Sequence, residues 1–157
     1  MATPKYTALA EITLSSTDSS VTFSSIPSGY RDLILVIGGN ATGNENAELR
    51  FNGDSGSNYS NVRALGSTTI VSDSATATST QRAARIGSGQ STVIMQIMDY
   101  SATDKHKTVL ARSMQSTDAV HMGAARWANT SAITSVEVFV SANAYAIGST
   151  FCLYGVK

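Results

Sequence analysis

"RDLILVIG", residues 31–38, decides how this chain folds. Five consecutive aliphatic side chains, Leu33 to Ile37, leave no polar face on an extended segment, so it reads as a central strand covered on both sides. The run is far too short to span a bilayer, which takes about 20 apolar residues. Just before it, "IPSGY" (26–30) reads as a turn, with proline fixing φ and glycine accepting positive φ. Before the turn, "SSVTFSSI" (19–26) places Val21 and Phe23 on one face of a second strand. Strand, turn and buried strand set the pattern for the rest.

Outward from this pair, similar segments recur. "KYTALAEITL" (5–14) alternates moderately, and "GNATGNENA" (39–47) reads as a polar loop before the strand "ELRF" (48–51). "YSNVRALG" (59–66) reads as a strand, whereas "STTIVSDSATATST" (67–80) lacks apolar periodicity and reads as an exposed loop. "QRAARIG" (81–87) resumes order and "STVIMQIMDY" (91–100) is a buried strand. "HKTVLARSMQ" (106–115) and "AVHMGAARWA" (119–128) form a hairpin connected by "STD" (116–118). "ITSVEVFVS" (133–141) sets Val136, Val138 and Val140 against Glu137 and Phe139, and "STFCLYGV" (149–156) sets Phe151 and Leu153 against Cys152 and Tyr154.

That makes roughly eight to ten strands of ordinary length. "RAARI" and "HMGAARWA" hold helix formers but neither caps nor a sustained 3.6-residue period. The expected architecture is all-β: one domain over residues 1–157, an antiparallel two-sheet sandwich of the jelly-roll kind, with an up-and-down barrel as the alternative. Residues 1–7, with Pro4 blocking helix, read as an extended N-terminal arm.

Composition agrees. Serine and threonine fill about a quarter of the chain while charged residues make up only 14%, so hydroxyls suited to a pleated surface supply the polarity. Eleven basic and eleven acidic residues cancel. With no basic stripe to neutralise phosphates, nucleic acid is not an expected partner. Cys152 is the single cysteine, which excludes an intrachain disulfide. "MATPKYTALA" shows no signal-peptide pattern, and the expectation is synthesis in a cytoplasm without membrane insertion.

No catalytic constellation can be assembled. In "NGDSGSN" (52–58), Asn52, Asp54 and Asn58 offer oxygens, but position twelve of a calcium loop counted from Asn52 is Arg63, which repels a cation. Asn-Gly is instead a strong hairpin-turn signal, because both residues accept positive φ. "GGNATG" (38–43) lacks the spacing of a phosphate loop. His106, His121 and Cys152 are too few, and wrongly spaced, for a zinc site. Cys152 lies between Phe151 and Leu153 and reads as a small hydrophobe. The eleven acids are scattered, so no pair for glycoside hydrolysis is indicated. No enzyme, metal or cofactor is expected. Trp127, Tyr59, Tyr100 and Tyr145 are the rings available for stacking on a sugar; the alternative is that they pack in the core.

Four segments, "SSVTFSSIPSGYRDLILV" (19–36), "LRFNGDSGSNYS" (49–60), "WANTSAITSVEVF" (127–139) and "AIGSTFCLYGVK" (146–157), taken in order, resemble small β-sandwich virion proteins of tailed bacteriophages. The resemblance runs from about Val21 to Val156 and is least distinctive over 67–120. It implies a structural component of the particle, either a capsid decoration (cement) subunit or part of a tail fibre, and supplies no catalytic residues. The first expectation is a decoration protein in the virion that associates with itself, as a trimer or dimer, and with the major capsid protein or other virion proteins. The second is a tail-fibre module that recognises a host-surface glycan through loops 39–46, 52–58 and 72–80, with Asp54, Asn58, Tyr59 and Trp127 as contacts. Segments 1–7 and 67–80 are the expected sheet edges, and they lack the clustered charges that normally protect an edge.

Overall fold

A computed structural model describes residues 5–116 and 119–157, all strand, turn and loop. The strands are β1 (Tyr6–Thr13), β2 (Ser20–Phe23), β3 (Asp32–Gly39), β4 (Glu45–Phe51), β5 (Tyr59–Gly66) and β6 (Ile70–Thr78). They continue as β7 (Gln81–Ile86), β8 (Ser91–Met98), β9 (Lys107–Gln115), β10 (Val120–Trp127), β11 (Val136–Phe139) and β12 (Thr150–Val156). One sheet has eight strands in the order β1-β12-β3-β8-β9-β10-β5-β6, and the other has four in the order β2-β11-β4-β7. Every pairing is antiparallel.

The strand order is that of a jelly roll. Without β5, β6, β9 and β10, two four-stranded sheets remain, β1-β12-β3-β8 and β2-β11-β4-β7. In them the chain pairs first strand with last, second with second-last, and so inward, as a long hairpin does when rolled into a sandwich. The pairs β5–β6 and β9–β10 are then additions that widen one sheet only.

Period-two alternation builds the core between the layers. Leu33, Leu35 and Ile37 of β3 and Val93, Met95 and Ile97 of β8 are buried on the large sheet's inner face. Opposite them lie Val21 and Phe23 of β2, Val136 and Val138 of β11, and Leu49 and Phe51 of β4. Phe151 and Leu153 are buried while Cys152 and Tyr154 are half-buried, as their alternation requires.

Several local expectations change. Residues 67–80 are exposed, but they hold a strand, β6, whose periodicity is hidden because it pairs on one side only. The polar loop 39–47 is shorter than its composition indicates, with β4 beginning at Glu45. In the corner at 25–30 the positive φ falls on Ser25 (φ 57) and not on Gly29. β3 is central, yet only its inner face is sealed, and Ile34 and Val36 on the outer face stay half-buried. Of the arm 1–7, residues 1–4 lie outside the described residues, while Tyr6 and Thr7 belong to β1, opposite Val156 and Gly155. The hairpin β9–β10 forms as expected, and residues 117 and 118 of its connection lie outside the described residues.

β1 and β6 are the two edges of the large sheet; β6 lies within the expected edge segment 67–80, whereas β1 shares only Tyr6 and Thr7 with the expected segment 1–7 and runs on to Thr13. β1 carries a bulge between Ala8 and Ala10, a common way of blunting an edge. β6 has Asp73 as its single charge, and that carboxylate is turned onto Arg63 of β5. Beside β1, Gly155 lets the Tyr30 ring lie flat on the sheet: a Cβ at this position would meet Tyr30 Cδ1 at 2.6 Å and Cδ2 at 2.7 Å. Gly155→Ala is therefore expected to displace that ring and destabilise the fold by about 2 kcal/mol, read as a lowered thermal midpoint.

Candidate interaction surface

Asp54, Asn58, Tyr59 and Trp127 do meet, at the corner where the chain leaves the small sheet. Asn52 (φ 51) and Gly53 (φ 70) form the tight turn that their sequence predicts, closed by Asp54 N–H donating to Phe51 O at 2.9 Å. It is not a hairpin. β4 belongs to the small sheet and β5 to the large one, so residues 52–58 carry the chain between layers.

The Asp54 carboxylate organises that crossing. It accepts from Trp127 Nε1 at 2.7 Å, from Asn58 Nδ2 at 2.9 and 3.2 Å, and from Gly56 N–H at 2.9 Å. Burial disfavours its charge, but those three donors outweigh the effect and hold its pKa below the ordinary aspartate value. Tyr59 donates from its hydroxyl to Asp54 O at 3.0 Å and accepts from Phe51 N–H at 3.1 Å. Burial first of all pushes its phenol up to about 12.

Trp127 and Tyr59 are each only 1% exposed, and Tyr100 and Tyr145 are fully buried. Their rings face the core, so none offers a flat surface to a sugar. Of the three glycan-candidate loops, 72–80 lies mostly within β6, and 52–58 holds two of the four proposed contacts, Asp54 and Asn58, the other two being the first residue of β5 and the last of β10. Among the described residues no three His, Cys, Asp or Glu side chains are grouped to hold a metal. His121 is turned inward while Cys152 lies half-buried on β12, so the two do not form a shared site.

The two outer faces of the sandwich differ in kind. On the small sheet, Arg50 meets Glu137 at 2.7 Å and lies 4.6 Å from the centre of the Phe139 ring, and Arg82 meets Glu48 at 3.5 Å. These charges pair within the face.

The outer face of the large sheet is built differently. The strand registers place its side chains in rows running across the sheet. One row reads Ala8, Tyr154, Ile34, Gln96, Leu110, Ala124, Val62. The next reads Glu11, Cys152, Val36, Ile94, Arg112, Met122, Ala64, and the third runs from Thr13 through Thr92, Met114 and Val120 to Ile70. Val62, Met122 and Val120 are 57%, 64% and 65% exposed. A trough of about 740 Å³ crosses this face, floored by Ile34, Ile94 and Leu110. Glu11 and Arg112 are the sole charges in the three rows, and neither has an ion-pair partner among the described residues. Exposed apolar patches are where contact sites are commonly found on folded domains.

Sequence reasoning reached the inner face and missed this outer one. The signal was in "LILVI" and "STVIMQIM", whose second apolar set (Ile34, Val36, Ile94) has no full cover among the described residues. Comparison with protein-family models and with curated proteins returned no match.

Proposed function

We propose that the chain is a non-enzymatic structural component of a bacteriophage virion, a capsid decoration protein that works by self-association and by contact with the shell. The observation that supports contact as its mode of action is the apolar outer face of the large sheet, beside a small sheet whose charges pair internally. The hydrogen-bonded carboxylates Asp54 and Asp32 point the same way. Asp54 is spent on Trp127, Asn58 and Gly56, and Asp32 on Gln96, Arg31 and the Asp99 N–H, so neither is available to move a proton. Placement in a virion rests on the four-segment resemblance, with which a jelly roll, an architecture used in viral capsids and lectins, is compatible.

The test is binding of the purified chain to capsids that lack it. The expected result is saturable binding at a copy number set by the shell lattice. A chain that ignores capsids but is retained on a glycan array would reverse the assignment in favour of the tail-fibre reading.

A further inference from the structure

We infer that the outer face of the eight-stranded sheet is the interface with a second copy of this chain, related by a two-fold axis running along β3. The inference rests on the self-association in the proposed function and names its surface.

Charge identifies the occupant. Glu11 and Arg112 lie in one row, on β1 and β9, with β12, β3 and β8 between them, so that β3 stands midway. Four strand spacings separate the two, roughly 19 Å, and no ion pair can form within one copy. Turning a copy over about an axis along β3 reverses the order of the strands and keeps each residue in its row. Glu11 of each copy then meets Arg112 of the other, and the two charges of these three rows are matched, twice; Arg126, in the neighbouring row on β10, lies beyond the overlap. A partner of different sequence would have to supply both charges at that spacing.

Shape and size agree. A twisted sheet turned over about a two-fold axis along one of its strands keeps its own twist. Across the axis Leu110 falls opposite Ala8 and Met114 opposite Thr13, large against small, while Met122 laps over the edge of β1. Five overlapping strands and three rows give a flat footprint of roughly 500 Å² on each copy, about 1,000 Å² in all, the size at which a specific interface begins. The chain's formal charge of zero means that no long-range repulsion opposes the pairing.

The experiment is sedimentation of the purified chain over low to high micromolar concentrations, with circular dichroism confirming that each variant is folded. The wild-type chain is expected to dimerise. Glu11→Arg or Arg112→Glu alone sets like charges together at both contacts and should raise the dimer Kd by about tenfold or more. The double variant Glu11→Arg with Arg112→Glu rebuilds each contact with its ends exchanged and should restore the wild-type Kd. Leu110→Glu should leave a folded monomer. A wild-type monomer throughout, a trimer, or a double variant no tighter than the single ones overturns the interface. Capsid binding by the same variants separates the two readings: a dimer that ignores capsids sinks the virion assignment alone, and a monomer that binds them sinks the interface alone.

Discussion

Trp127→Ala is expected to destabilise the fold by about 3–5 kcal/mol, the range for deleting a large buried ring, and to do so whether or not any ligand is present. Trp127 ends β10 with 1% of its surface exposed. Its ring centre lies 5.6 Å from that of Phe51, tilted by 55°, and 6.4 Å from that of Tyr59, nearly parallel at 16°. One strand of the small sheet and two of the large one are thereby joined through three rings. The indole N–H adds a charge-assisted bond to Asp54, worth more than a neutral one. Trp127→Phe keeps most of the ring contact but removes that donor, and should cost about 2 kcal/mol. Urea midpoints for the two variants measure both steps. If Trp127 served a sugar site, Trp127→Ala would instead weaken glycan binding and leave the midpoint in place, and that outcome would refute the packing role.

The inner layers of this fold were legible because each of their strands states its own periodicity. Val136, Val138 and Val140 alternate with Glu137 and Phe139, and all three valines are buried. β6 was not legible. "IVSDSATAT" is an edge strand with almost every residue exposed, and a strand that buries neither face needs no apolar repeat. The Asn52–Gly53 turn was readable from φ preference alone, but the switch of sheets after it was not, because local chemistry does not encode which partner the next strand finds. "RDLILVIG" taught the reverse lesson. Two apolar faces imply two covers, and the described residues supply only one of them.

The same register logic explains two buried polar residues that composition assigns to the surface. Counting back by twos from Trp127 gives Ala125, Gly123 and His121, so His121 must point inward, and it is 2% exposed. Counting back from Val109 gives Lys107, fully buried, whose Nζ donates to Lys105 O at 3.0 Å and Thr130 O at 3.1 Å. Burial lowers its pKa. Both positions were marked by their spacing from an apolar neighbour on the same strand.

His121 makes acid the second strong perturbation of this fold. The imidazole sits at a small cavity of about 130 Å³ with Arg63 of β5, Asp73 of β6 and Arg85 of β7, and neither ring nitrogen has a hydrogen-bond partner among the described residues. Burial above all, then the two guanidinium groups, lower its pKa from 6.5 to about 4, with Asp73 opposing them. The unfolded chain therefore takes up a proton that the folded chain refuses over this interval. Stability is complete above about pH 6.5 and falls as the pH drops towards 4, by up to about 3 kcal/mol in total. The carboxylates with lowered pKa, Asp32, Asp54 and Asp73, act in a different window. Their contribution is present above the unfolded aspartate value and is lost only below it. Urea midpoints measured from pH 7.5 to 4.5 should fall for the wild-type chain and stay nearly flat for His121→Gln, which cannot take the proton. An equal decline in both proteins would place the acid sensitivity elsewhere. If the decline does belong to His121, β5, β6 and β7 are the elements that loosen first, because they supply the cavity wall that a charged imidazole would have to push apart.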